Sequence, residues 1–293
     1  MSEKYSFINA EKANYPIVKG CAWLVVSRSG YYEWLAAPAT AAARRRVTLG
    51  GLVAEVHAHS RQTYGSRRVT AALRASGHPV SRRLVRALMR SQDLKACQPR
   101  PWRATTLPGD RPAAVPDRLG REFTAATPGT RLVGDITYIR TWTGWLYLAT
   151  VIDLATRKVI GWSMAEHMRT TLIIDALAMA AGTGQLRPGC VFHSDRGAQY
   201  TSAEFAGALT ARGLLASMGR TGICWDNSAA ESFFASLKKE LVHRTVFPTP
   251  GKARTAIAEY IEVFYNRQRL HSSLGYRTPA QAEADHYANP QAA

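Results

Sequence analysis

Acid is scarce in this chain, and so is cysteine. Its 293 residues include 21 Asp or Glu against 38 Lys or Arg, a formal net charge of +17. The four cysteines, Cys21, Cys97, Cys190 and Cys224, stand far apart and form no C-x₂-C pair. That spacing gives no disulfide framework and no cysteine-based zinc site. Reduced thiols in a cytosolic protein are expected. No stretch reaches the roughly 18 uninterrupted apolar residues of a membrane span. The opening MSEKYSFINAEKANYP lacks the apolar core of a secretory signal. The expected location is therefore the cytoplasm, with no membrane partner. Hydrophobic residues make up 46%, which fits a globular protein, and the length suffices for two domains or one large one.

The basic charge is unevenly spread. Residues 1–120 carry 20 Lys or Arg against 7 Asp or Glu, whereas residues 121–293 carry 18 against 14. A basic front ahead of a nearly balanced back suggests a nucleic-acid-gripping module joined to a catalytic one. Residues 1–20 show no periodicity and are expected to be unstructured. Residues 21–97 read as helical. Within them, SRRVTAALRASGHPVSRRLVRALMRSQDL gives two helical patterns around Gly77, His78 and Pro79, a helix-turn-helix candidate. Its second helix sets Leu84, Val85, Leu88 and Met89 at helical spacing, with Arg82, Arg83, Arg86 and Arg90 facing elsewhere. Residues 98–128 have the Pro-rich, polar composition of a linker. Three strand patterns follow, Leu132–Arg140, Trp145–Asp153 and Lys158–Met164, joined by connections short enough for an antiparallel meander. Helices and short strands then alternate: a helix at 170–182, a strand at 190–194, a helix at 202–212 and a strand at 213–218. Helices at 227–242 and 250–265 and a basic tail close the chain. The expected fold class is α/β, a mixed sheet covered by helices and preceded by an all-α region. Its catalytic core would span 129–245, completed by 246–293.

Three acids stand out. Asp135 falls in the alternating run RLVGDITYIRT, and Asp195 ends the apolar run CVFHSDRG. Glu231 lies in the amphipathic pattern NSAAESFFASLKKELV, and thirty-five residues separate it from Asp195. Carboxylate oxygens are hard ligands suited to Mg²⁺, or Mn²⁺, and two such ions about 4 Å apart can activate a nucleophile and stabilise a leaving oxygen at a phosphodiester. At about 100° per residue, Glu231 and Lys238 lie within about 20° of each other beside the apolar stripe of their helix. Singly, each acid reads more readily as a turn residue or a solvated charge; their conjunction with the basic front carries the functional reading. Asp153, at the end of a strand, and Asp226, in CWDN, are supporting candidates. His193 reads as a strand-end residue near the metals. His57 and His59 form an H-x-H pair with only Cys97 nearby, so no zinc module is expected. Trp225 is open to two readings, stacking on a DNA base or burial against the Glu231 helix. Arg267, Arg269, His271 and Arg277 could follow a DNA backbone, or form a solvated tail.

The runs DITYI, GWLYLATVIDLATRKVIGW, HSDRGAQYTS, CWDNSAAESFFASLKKEL and YNRQRLHSSLGYRTP, in this order, resemble the second-frame transposases of bacterial insertion sequences of the IS-three type. The resemblance covers roughly residues 20–285. It implies an integrase-like core with the ribonuclease-H fold, with Asp135, Asp195 and Glu231 as its metal-binding acids. Lys238, beside Lys239, would be a DNA contact. YGSRRV, with Arg67 and Arg68, is similar to the family's helix-turn-helix segment. Val133, Ser66 and Ile223 depart from the usual Trp, Tyr and polar residue, and none touches the triad. The implied reaction is hydrolysis at a transposon end to free a 3′-OH, which then attacks another phosphodiester, by way of a circular intermediate. Implied partners are double-stranded DNA, further copies of the chain in a synaptic complex, and an upstream-frame product joined by frameshifting. Two other readings stay open: a nuclease of the same fold without strand transfer, and a non-catalytic DNA-binding regulator.

Overall fold

The computed structural model describes residues 1–38, 40–97, 115–120, 122–219 and 228–288. They form two compact units, Met1–Leu52 and Val53–Ala293. The segment 98–128, expected as a linker, lies mostly outside the described residues.

The first unit corrects one expectation. Residues 1–20 are not unstructured: helix α1 spans Ser2–Glu11, and α2 spans Ile17–Trp23. Helix α3, Arg28–Ala36, follows after the N-cap Ser27, whose hydroxyl accepts from Gly30 N at 3.3 Å. Ala37 is extended, as a residue before proline must be, and ends α3 ahead of Pro38. The core of this unit is Tyr5, Ile8, Cys21 and Tyr31, with Trp34 packed against them. Tyr5 meets Tyr31 at 6.1 Å and Trp34 at 6.0 Å between ring centroids. Helix α1 buries only Tyr5 and Ile8, too short a stripe to read as an amphipathic period. Aromatic packing from α3 orders it instead.

Helix α4, Ala41–His59, runs past the unit boundary. In the second unit, α5, Ser66–Ala75, and α6, Arg82–Ser91, form the helix-turn-helix. Gly77 takes the left-handed conformation (φ 81°) that the stop of α5 requires, and His78 N returns to Leu73 O at 2.9 Å. Ser81 caps α6, accepting from Leu84 N at 3.2 Å. Val69, Leu73, Val85, Leu88 and Met89 are buried between the helices. Arg82, Arg83, Arg86 and Arg90 are exposed.

The sheet has the order β3-β2-β1-β4-β5. Strands β1, Arg131–Thr141, β2, Gly144–Asp153, and β3, Val159–Ala165, form the antiparallel meander. Strands β4, Val191–Ser194, and β5, Leu215–Met218, add parallel to β1 and to each other. One face packs on α7, Thr170–Gly182, and α8, Ala203–Thr210, around Leu132, Val151, Phe192 and Phe205. Full burial of each such side chain contributes about 1.5–3 kcal/mol. Two glycines permit close approach. A Cβ on Gly134 would lie 2.4 Å from Phe192 Cζ, and one on Gly161 would lie 2.2 Å from Ala176 O. Helices α9, Ser228–Glu240, and α10, Pro250–Glu259, also pack on β1 and β2. The helix expected through 265 changes period at Tyr260 and continues as a π-helical turn to Tyr265. Asn266 then mimics a strand, accepting from Val159 N and donating to Val159 O, both at 3.0 Å. A final helix, α11, spans Pro279–Ala288.

The helix-turn-helix is tied to the C-terminal part of its own unit. Tyr64 Oη donates to Gln268 O at 3.1 Å and accepts from Leu270 N at 2.7 Å. Arg68 Nε donates to Leu270 O at 2.9 Å. Arg61 pairs with Glu259 and lies over the Phe264 ring, 4.6 Å from its centroid.

Candidate active site

Strand register builds the first half of the site. β1 pairs with β4 as Arg131↔Val191, Leu132↔Phe192 and Val133↔His193, a constant offset of 60. The ladder ends there; the same offset carried two residues beyond it would bring Asp135 level with Asp195, just past the end of β4. Residues at matched positions of parallel strands share a face. The other half comes from α9, which packs on β1 and carries Glu231 in its first turn and Lys238 two turns on.

Electrostatics tie these groups together. The half-buried carboxyl of Asp135 is pushed up to about 8, first by burial, then by Asp195, with a smaller push from Glu231. The Ile136 amide, donating to Oδ1 at 2.7 Å, and Lys238 work against the shift. Lys238 is itself lowered by burial and raised by Asp135, and its Nζ lies 5.4 Å from the Tyr138 ring centroid. Burial also raises Glu231. Asp195 Oδ1 accepts from Gly197 N at 3.0 Å, which sets its rotamer at the head of the loop. Among the described residues, no three acidic, histidine or cysteine side chains close into a ready-made metal cage. Burial raises Asp135 first, and repulsion from the neighbouring carboxylates adds to it.

Two residues that the sequence reading passed over belong to this neighbourhood. Thr150 faces Asp135 directly across the β1–β2 ladder, and its Oγ1 is buried with no hydrogen-bond partner among the described residues. Tyr200 is buried against Phe192 and Phe205, and its phenol is raised well above its usual range by burial and then by Asp135 and Asp195. Thr150 could have been found from the alternation of GWLYLATVID. Tyr200 gave no local signal.

The other candidates divide. His193 is buried, shares a 2.9 Å hydrogen bond with Ser217 Oγ on β5, and meets the Phe123 ring edge-on. Asp153 organises a turn: Oδ2 accepts from Gly129 N, and Oδ1 from Ala155 N, Thr156 N and Thr156 Oγ1, at 2.8–3.1 Å. Asp226 and Trp225 lie outside the described residues. Arg67 and Arg267 are exposed, and Lys239 is half-buried beside Lys238. Arg269, expected on DNA, is instead buried at 5% exposure. It donates from Nε to Glu240 Oε2 and from Nη2 to Oε1, each at 2.8 Å, and Tyr260 Oη donates to the same carboxylate at 2.8 Å. A buried charge needs such pairing, and Glu240, at the end of α9, supplies it. Arg68 is likewise turned inward, with Nη1 3.9 Å from Glu240. His271 is buried too, and burial and then Arg269 hold it down at about 2.

Comparison with known proteins agrees with this architecture. An HTH-like domain family matches residues 44–102, and two integrase core domain families match 125–224 and 212–279. The transposase InsF for insertion sequence IS3A of Escherichia coli (strain K12) is 39% identical over 282 residues, covering 96% of this chain and 98% of that protein. The insertion element IS600 uncharacterized 31 kDa protein of Shigella sonnei is 37% identical over 260 residues, covering 89% and 96%. Among solved structures, a chain of the simian T-cell lymphotropic virus intasome in complex with PP2A regulatory subunit B56 gamma aligns at 15% identity and TM-score 0.46, over 79% of this chain and 74% of that one. A ribonuclease-H-like sheet, an HTH-like region ahead of it and an integrase core define a DNA polynucleotidyl transferase of the DDE class. Within that class, the chain belongs to the transposases of the IS3 family of insertion sequences. Among the described residues, no helix is long and apolar enough to cross a membrane.

Proposed function

We propose that Asp135, Asp195 and Glu231 are the catalytic acids of this transposase and hold two Mg²⁺ ions, or Mn²⁺, during cleavage and strand transfer at the ends of its element. One observation supports the reading: Asp195 and Glu231 both raise the Asp135 carboxyl, and Lys238 lowers it, so all three groups act on that one carboxyl. The donor set fits a hard divalent cation. It is all carboxylate oxygen, and the Thr150 hydroxyl, which has no partner among the described residues, adds an oxygen across the ladder from Asp135. Bound there, the cations supply charge stabilisation at the phosphodiester and a more acidic water. The chain's own part is positioning. β1 carries Asp135, the loop leaving β4 carries Asp195, α9 presents Glu231, and Lys238 meets a DNA phosphate.

The exposed Arg67, Arg82, Arg83 and Arg86 grip the duplex ahead of the core, and Arg267 extends the grip. In the domain division that goes with this reading, residues 21–97 bind DNA, 98–128 link, 129–245 cut and join, and 246–293 complete the core. Further copies of the chain assemble on paired ends, an upstream-frame product is a partner, and the work is done on the bacterial nucleoid. Asp195→Asn tests the assignment. Mg²⁺-dependent cleavage of an end-bearing oligonucleotide should vanish while end binding stays measurable. Wild-type cleavage by that variant would remove Asp195 from the site. Products longer than the substrate report strand transfer; shorter ones alone report a nuclease.

A further inference from the structure

Three large aromatic rings stand uncovered toward the end of the β1–β2 hairpin. Trp142 is 77% exposed, Tyr138 58% and Trp145 46%. Single exposed aromatics are ordinary, but three on one hairpin form a patch that calls for a partner. Cations accompany them. Lys238 Nζ lies over the Tyr138 ring, and the exposed Arg140 stands directly across the ladder from Trp145. Tyr138 and Trp145 meet edge to face at 5.3 Å. The hairpin end is pinned in place. Trp142 N donates to Phe247 O at 3.1 Å, and Thr141 Oγ1 donates to Gly144 O at 2.9 Å. A cleft of about 390 Å³ opens between Arg140, Trp142, Val246 and Phe247.

An apolar protein surface has no use for the cations, and a paired duplex hides its base faces. An unpaired DNA strand offers anionic phosphates and bare bases together. We propose that this hairpin end seats unpaired nucleotides of the strand flanking the scissile position. Trp142 stacks on a base at the mouth of the cleft, and Arg140 and Lys238 meet phosphates. The proposal rests on the reading of Asp135 and its partners as the cutting centre. From Asp135 to Thr141 the strand covers about 20 Å at roughly 3.3 Å per residue. The seat therefore lies about six steps of 3.4 Å along a DNA strand from that centre.

The test uses the full chain without divalent cations and two fluorescent probes. One is a duplex of fixed sequence with about eight unpaired nucleotides at one end; the other is the same duplex fully paired. The wild-type chain should prefer the unpaired flank. Trp142→Ala should weaken binding of the flanked probe about tenfold and leave the paired probe unchanged. Trp142→Phe should keep the preference. Asp195→Asn should keep it too, so a failed cutting centre and a failed base seat give different results. The side chain of Trp142 is solvent-facing, and unchanged melting of each variant confirms that it folds. The proposal is overturned if the wild-type chain shows no preference, or if Trp142→Ala retains it. It is also overturned if Trp142→Ala loses affinity equally for both probes and sediments as a smaller species, since a second copy of the chain would then be what covers the rings.

Discussion

Asp153 and Asp135 lie on adjacent strands of one sheet, and burial pushes both carboxyls upward. Asp153 is met by four donors, three of them backbone amides, all within 3.1 Å. Asp135 accepts the Ile136 amide, faces a hydroxyl with no partner among the described residues, and has two like charges close enough to raise it further. The first acid is spent on the fold, closing the turn after β2 onto Gly129. The second carries a burden that the fold leaves uncompensated. Environment, more than residue type, separates a structural carboxylate from one kept for chemistry.

That contrast can be broken or sharpened by substitution. The largest effect belongs to Asp135→Asn. Cleavage should fall by on the order of 10³-fold or more, since several kcal/mol of charge stabilisation are removed. The melting temperature in chelator should hold or rise, because a carboxyl disfavoured first by burial and then by like charges has been removed. A marked drop in melting temperature would make Asp135 a second Asp153. Next comes Asp153→Asn, which cannot accept all four bonds and should cost about 1–3 kcal/mol in denaturant unfolding. Its folded fraction should still cut; a well-folded but inactive variant would draw Asp153 into the site. Third is pH. The folded Asp135 titrates at about 8 against an ordinary 3.8. Its contribution to stability is therefore fully present below about 4 and lost as pH rises through about 8. In chelator, wild-type stability should decline across that window more than that of Asp135→Asn. Equal slopes would show that Asp135 is ionised throughout. The smallest effect is in the grip: losing one phosphate contact at Arg82, Arg83 or Arg86 should flatten the plot of log affinity against log salt by about 1.

Much of this was readable in the chain. Period-2 alternation in RLVGDITYIRT and GWLYLATVID placed β1 and β2 within a residue or so, and the apolar VFHS placed β4. The three acids were marked by their local settings. Their mutual placement was not, because the offset of 60 between β1 and β4 is a property of pairing that no window contains. Arg269 was misplaced for a similar reason. A guanidinium looks the same in sequence whether water or Glu240 receives it, and Glu240 lies 29 residues away. The π-helical turn at Tyr260 escaped because its side chains were counted at the α period. Helix α1 escaped because its order comes from the rings of α3.

Tyr64 holds the carbonyl of Gln268 and the amide of Leu270 with one hydroxyl, and Arg68 takes the next carbonyl. One residue on from Gln268, Arg269 is locked to Glu240 at the foot of the helix that bears Glu231. In the proposed function the helix-turn-helix is the reader of the duplex and α9 the jaw that closes on a phosphate, and three consecutive residues rivet the two together. A lateral slip of the reader along its duplex would be passed to the jaw with little slack.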